Sequence, residues 1–538
     1  MPDRAFADST KSMLNGISLV VLMGLSAVLV GWLATRGQPL LVLAPAILML
    51  GIMVAARSEL LFWSVVLGGL VVAGLARLYL PSLEQVRWLL APATALLALQ
   101  ATALYLARRP GAERARGIST LLWWALGFVL ASLAATFANG FQLDRFVVGF
   151  KGYYQVWALL IALALAPWPP LVMDRLPRVL LVIAIAQIPF VLHQLLVLVP
   201  ARAGMGNGIV PIDVVAGTFG AVFDGGGANA TLSAFLMIVI AGLVAGRQLG
   251  VVSKAQLWGI GALLMAPVLV NQAKVSIFYL LAVYLGLFGA DLVRRPLRFL
   301  TTGLAMLLML AVLMVAFTLN SPDHEDIASW QDLVAYTYEY NVEAEEVRGR
   351  LSRFGAFEHW ADMHDSGNWR EILLGHGIGY TRVPDARAFP AGTVTTRING
   401  VPVQIDLEAD IGNTAVVALL WETGVLGLGL VFALLAVAYR TAGRLEPLHA
   451  AHPERLASLR AARIGMVIIF ITLWHKNFFV LDVVYQTLVV LLIGYVAYWD
   501  GLASRAKGRG GIGQGERARG GTQGRSREGV SHRAGQRP

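Results

Sequence analysis

"FLTTGLAMLLMLAVLMVAFTL", Phe299 to Leu319, runs for 21 residues without a charged side chain. As a helix it would cover about 31 Å, against about 30 Å of hydrocarbon in a bilayer. Comparable runs recur along the chain. Before it come Ile17–Ala34, Leu40–Ala56, Leu60–Leu78, Trp88–Leu106, Ile118–Phe137, Tyr154–Ala166 and Val179–Val199. Leu232–Ala245, Leu257–Val270 and Val275–Ala290 lead up to it, and Thr414–Tyr439, Ile464–Trp474 and Phe479–Trp499 follow. The reading is an all-α polytopic membrane protein of about 12–14 transmembrane helices, the last two runs being short enough to form one re-entrant hairpin.

Composition agrees. The 538 residues are 57% hydrophobic and 14% charged, with mean hydropathy +0.66, whereas soluble domains are about 25% charged. Zero cysteines exclude disulfides, thiolate metal sites and cysteine nucleophiles. Most of the formal charge of +10 sits in the Gly/Arg-rich tail after Asp500. Residues 501–538 are expected to be disordered, a basic flank that touches anionic lipid; nucleic acid is not the partner expected of it.

Basic residues orient the spans. Arg108, Arg109, Arg114 and Arg116 share one loop; Arg175/Arg178, Arg247/Lys254, Arg294/Arg295/Arg298 and Arg440–Arg463 mark later alternate ones. With 14 spans these fall on one side with both termini, which makes that side cytoplasmic. The organisation expected is helices over 1–319, an outer loop over 320–413, helices over 414–500 and the tail. The loop begins acidic and helical and ends in "TVTTRINGVPVQIDL", where alternation around Asn399-Gly400 predicts a β-hairpin.

Chemistry gathers on the outer side. "LVNQAKVSIFYLL", Leu269 to Leu281, sets Lys274 at the outer end of a span, within snorkelling reach of the interface. "GTFGAVFDGGGANATLSAFL", Gly217 to Leu236, has the glycine and polar content to leave the helix and line a polar cavity, with Asn229 at its edge. In "VRGRLSRFGAFEHW", Arg350 and Arg353 are three apart and would share a helical face, a clamp suited to phosphate oxygens or to the neighbouring glutamates. "NWREILLGHGIGYTR" offers His376 and Tyr380 on a tight turn. His359, Asp362, His364 and Asp365 match no standard ligand spacing, so no metal site is read, and no nucleotide-binding motif is present.

The order of these stretches resembles the O-antigen polymerase and ligase family of bacterial membrane glycosyltransferases. The resemblance covers roughly Gly217 to Gly429. It rests on the "GTFG" stretch, a cation opening a span, Arg353…Trp360 in a large outer loop, the "LLGxGxG" turn at Leu373–Gly379, and the "ExGxxG" of Glu422 to Gly427. It implies a multi-pass protein of the bacterial inner membrane acting on undecaprenyl-diphosphate-linked oligosaccharide at the periplasmic face, without cofactor or metal. Lys274 and Arg353, or Arg350, would grip the diphosphate. The family cation at Lys274 is often arginine, and ligases carry a histidine-asparagine pair nine residues before the glutamate, where this chain has Asn413. Asp410 becomes the candidate base or acceptor-orienting group, with His376 second and Glu408, Asn413, Tyr380 and Asn229 lining the acceptor side. The reading is therefore a repeat-unit polymerase for exopolysaccharide, capsule or O-antigen. It would work on membrane lipid and growing polysaccharide, beside a chain-length regulator or other export proteins. The alternatives are a ligase passing finished glycan to a lipid or protein, and, from another class, a lipid-linked-sugar transporter or a non-catalytic assembly subunit.

Overall fold

The computed structural model describes residues 51, 54–107, 118–203, 210–223, 228–319, 331, 334, 335, 338, 341, 342, 352–364, 367–382, 393–398, 401–406 and 411–520. Nine described helices are long and apolar enough to cross a membrane. They are α1 (Ser58–Tyr79), α2 (Pro81–Leu106), α3 (Thr120–Ala138), α6 (Pro170–Arg202), α7 (Asn229–Gln248), α10 (Pro296–Ala316), α13 (Ala415–His449), α14 (Pro453–His475) and α15 (Val483–Ser504). A bent pair, α4 (Leu143–Tyr154) and α5 (Ala158–Leu165), makes a tenth if taken as one span broken by 41°. Two shorter apolar helices, α8 (Lys254–Val270) and α9 (Ser276–Phe288), flank Lys274. The expected count of about 12–14 is therefore nine or ten among the described residues. Ile17–Ala34 lies outside those residues, as does most of Leu40–Ala56.

Several boundaries move, each for a physical reason. The expected span Ile464–Trp474 begins eleven residues earlier as α14, because its basic first turns find acidic partners instead of needing a loop in water. Arg455 forks onto Asp174 with Nε–Oδ1 2.7 Å and Nη2–Oδ2 2.8 Å. Arg460 and Arg463 share Glu446 at 3.2 and 3.1 Å, while Asp500 accepts from Arg444 (3.1 Å) and the Ser119 hydroxyl (2.9 Å). The tail expected to lose structure after Asp500 continues the last helix to Gly520. Extending a formed helix avoids the cost of nucleation, though each glycine there weakens it by about 1 kcal/mol. Residues 521–538 lie outside the described set.

Burial sorts centre from rim: 83% of the α15 window is buried but only 6% of α10. Lipid supplies no hydrophobic drive between helices, so close approach at small residues replaces it. A Cβ on Gly69 of α1 would stand 2.5 Å from Thr487 Oγ1 of α15, and one on Gly494 of α15 2.3 Å from Leu163 Cδ1 of α5.

The "GTFG" stretch does leave the helix, but it is buried in protein instead of lining a cavity. Non-helical backbone at this depth needs partners, and α6 supplies them from two glutamines. Gln194 Oε1 accepts from the N–H groups of Ala216 (3.0 Å) and Gly217 (2.7 Å), and its Nε2 donates to Gly217 O at 2.7 Å. Gln187 Oε1 accepts from Thr218 N–H at 2.8 Å, and the Thr218 hydroxyl donates to Leu70 O of α1 at 2.8 Å. Between α10 and α13 lie the short helices α11 (Arg353–Met363) and α12 (Trp369–Leu374). Two antiparallel strands follow, β1 (Thr393–Ile398) and β2 (Val401–Asp406), Ile398 paired with Val401. Asn399-Gly400 lies outside the described residues.

Candidate functional site

The apolar helices α8 and α9 are separated by a break, and the break is built. Asn271 is fully buried and its side chain replaces helical hydrogen bonds with specific ones. Its Nδ2 donates to Asn229 O (3.1 Å) and Ser233 Oγ (2.8 Å) of α7, its Oδ1 accepts from Ala273 N–H (3.2 Å), and its carbonyl accepts from Asn229 Nδ2 at 3.0 Å. Gln272 is left at φ 54°, a left-handed conformation that costs a non-glycine residue about 1–2 kcal/mol. Held strain of this kind marks places where surrounding contacts over-determine the chain. Lys274 follows directly. Asn271→Ala removes the clamp and takes a partner from the buried Ser233 hydroxyl and Ala273 N–H, so purified protein in detergent should lose about 1–3 kcal/mol of stability, read as a lower melting temperature.

Lys274 is not alone. Asp213, on the 3-10 turn Pro211–Val214, receives Asn229 Nδ2 at 3.4 Å. Burial pushes its carboxyl up, and Lys476, Arg202 and Lys274 pull it back down. Burial in turn lowers the Lys274 ammonium to about 8, against the opposing pull of Asp213. Arg202 ends α6 and is buried. Lys476 follows the last residue of α14, His475, whose carbonyl accepts from Arg353 Nε at 2.7 Å. Arg353 Nη1 is also hydrogen-bonded to Asn341 Oδ1. The turn 411–413 closes the ring: Asn477 Nδ2 donates to Gly412 O (2.9 Å), and Asn413 Nδ2 donates to Ser352 O (3.2 Å). Three basic side chains, Lys274, Arg202 and Lys476, therefore act on one described carboxylate in a half-buried setting, and Arg353 is tied to the His475 carbonyl next to Lys476; a polyanion would be strongly held there.

The "LLGxGxG" and "ExGxxG" motifs are two halves of one joint. α13 breaks at Gly424, φ 63° and ψ −171°, a conformation essentially restricted to glycine. A Cβ there would stand 2.3 Å from Leu373 O. Into the break fits the 375–381 turn: His376 N–H donates to Trp421 O (2.7 Å) and Gly377 N–H to Glu422 O (3.0 Å). The Glu422 carboxylate is completely buried. It accepts Gly379 N–H on Oε2 and Thr381 N–H on Oε1, both at 2.9 Å, and the Thr381 hydroxyl on Oε1. Beside it, burial lowers the Arg382 guanidinium, with Glu422 and Tyr153 opposing. On the outer flank of the turn His376 stacks on Tyr380 with centroids 4.4 Å apart, and Arg145 lies 5.1 Å from the centre of the Tyr380 ring.

Searched against known proteins, the chain matches no family model and no curated sequence.

Of the residues singled out by sequence, Lys274, Asn229, Arg353 and Asn413 fall into the cationic ring, whereas His376 and Tyr380 belong to the glycine joint. The shared face expected of Arg350 and Arg353 falls partly outside the described residues, which show only the Arg353 end. Ser352 is the N-cap of α11, its hydroxyl accepting from Gly355 N–H at 2.8 Å, so the helix starts at Arg353. Arg350, Glu408 and Asp410 lie outside the described residues. Sequence reasoning missed Arg202, Asp213 and Lys476. Lys476 carried a usable signal, a lone lysine in "LWHKNFF" between two apolar runs; Arg202 and Asp213 carried none beyond their loop.

Proposed function

We propose that this chain is a membrane glycosyltransferase that joins undecaprenyl-diphosphate-linked oligosaccharide repeat units. One observation carries the reading: the helix start bearing Arg353 and the turn 411–413 meet at His475–Asn477, and Lys476 of that stretch acts on the same Asp213 carboxylate as Lys274. In the reaction an acceptor hydroxyl attacks the anomeric carbon as the bond from that carbon to the diphosphate oxygen breaks. Negative charge grows on the departing diphosphate, and preorganised cations are the economical way to stabilise it. Lys274 and Arg353 take that role, with Arg202 and Lys476 beside them. The acceptor's proton passes to Asp410, just ahead of the 411–413 turn. The setting is the bacterial inner membrane with the ring at the periplasmic face. The paired basic residues Arg444, Arg455, Arg460 and Arg463 gather where helices α13 and α14 adjoin, one helix length from His475, which supports a cytoplasmic assignment for that end.

The test uses purified protein in lipid, supplied with undecaprenyl-diphosphate-linked repeat units from its own host, with products separated on a gel. A ladder of lengthening products supports the reading. A folded preparation that consumes the units without a ladder, passing glycan to another lipid or protein, would make it a ligase. No turnover at all on the correct substrate overturns both.

A further inference from the structure

The outer flank of the glycine joint holds a group of side chains that diphosphate chemistry does not use. His364 ends α11, and its Nδ1 lies 2.7 Å from Trp360 O, one helical turn back. That carbonyl can only accept, so Nδ1 carries the hydrogen and Nε2 keeps its lone pair. The ring is buried and stacked on Trp360, with centroids 4.9 Å apart at 29°, which fixes the direction of that lone pair. Facing it at 2.9 Å is His376 Nε2, from a ring stacked on Tyr380 and packed against Trp421. The Glu371 carboxylate of α12 completes the group, the three ligand atoms lying within 4.8 Å of one another.

From this we infer that His364, Glu371 and His376 bind one divalent transition-metal ion of the zinc class. Two imidazoles and a carboxylate suit zinc. With bonds of about 2.0–2.1 Å, tetrahedral donors stand about 3.3–3.4 Å apart, so the imidazoles open by about 0.4 Å and the carboxylate closes in. The Nδ1–H···O=C bond of His364 is the outer contact that metal-bound histidines commonly make, setting tautomer and ring orientation. The competing arrangement is a plain hydrogen bond, His376 Nε2–H donating to His364 Nε2. It accounts for the imidazole pair but gives Glu371 no role.

The ion ties α11, α12 and the 375–381 turn together beside the break in α13. A metal-bound His376 has no lone pair with which to accept a proton, so it is a ligand and not the base. The inference rests on these side chains alone and stands whether or not the chain transfers sugars.

Full-length protein in detergent, stripped with a chelator, is titrated with zinc against a chromophoric competitor, and with Co2+ followed by absorption. One ion per chain is expected, with the intense visible band of tetrahedral Co2+ and a rise in melting temperature on metal addition. His364→Ala and His376→Ala should each weaken binding by at least about 100-fold, and Glu371→Gln should weaken it and alter the cobalt band. His359→Ala, five residues before His364 and outside the trio, should leave both readouts unchanged. Because the wild-type spectrum and melting shift are informative alone, variants that fail to fold do not rescue the idea. The inference is overturned if folded wild-type protein takes up no zinc, or if binding survives both histidine substitutions or is lost with His359.

Discussion

Lys274→Ala should lower the rate of ladder formation by about 10²–10³-fold, the usual consequence of removing one preorganised group from a developing negative charge. Arg353→Ala should fall in the same range, with an added loss of order in α11 because Arg353 also ties that helix to the His475 carbonyl. pH separates a charge role from a packing role. The Lys274 ammonium is lowered by burial from 10.5 to about 8, so the wild-type rate should decline as pH rises through about 8. Lys274→Arg keeps its charge and should hold its rate there. Stability moves the other way. Between pH 8 and 10.5 the unfolded chain binds a proton at this residue that the folded chain does not, so this group's contribution to stability grows with pH over that window. Below about pH 8 both states are protonated and its contribution is flat. A rate falling while the melting temperature holds or rises is the signature of a cation used for its charge. If Lys274→Ala keeps full activity at pH 7, the diphosphate is held elsewhere.

The largest loss of stability is expected from Glu422→Ala. Its carboxylate serves two buried N–H groups and a hydroxyl, and truncation leaves all three without a partner. Such a loss costs about 3–5 kcal/mol, enough to unfold many domains. Thermal unfolding in detergent, followed by size-exclusion of the heated sample, checks it. Glu422→Gln retains one acceptor oxygen and should lie between wild type and alanine. Gly424→Ala attacks the same joint from the backbone, where the Cβ has no room beside Leu373 O, and should resemble Glu422→Ala. If Glu422→Ala melts like wild type but loses activity, the glutamate belongs to the chemistry and not to the joint.

The sequence made the membrane character plain because uncharged runs such as Phe299–Leu319 leave few other solutions. It was a poorer guide to helix ends. Arg455, Arg460 and Arg463 look like loop residues until Asp174 and Glu446 are known to face them. Those partners lie on other segments, beyond the reach of any local pattern. The site was legible in the same uneven way. Lys274 stood out as a lone charge in an apolar run, and Arg353 as part of a motif. Arg202 and Asp213 come into play only because the fold brings both within electrostatic reach of the site of Lys274. The two glycine motifs were visible as separate words, but nothing in their spacing revealed that Glu422 of one holds Gly379 and Thr381 of the other.

The two glutamines of α6 bear on the order of assembly during synthesis. Until residues 215–218 emerge from the ribosome, Gln187 and Gln194 have no loop to hold, and polar side chains left bare in hydrocarbon are costly. Nascent α6 should therefore linger at the lateral gate of the insertion machinery and partition into lipid only when the following segment arrives. Crosslinking of chains stalled when Arg202 has just emerged from the ribosome, and when α7 has just emerged, tests this. The shorter chain should remain attached to the translocon, and Gln187→Leu with Gln194→Leu should release it early, into the bilayer, without the loop that α6 was shaped to receive.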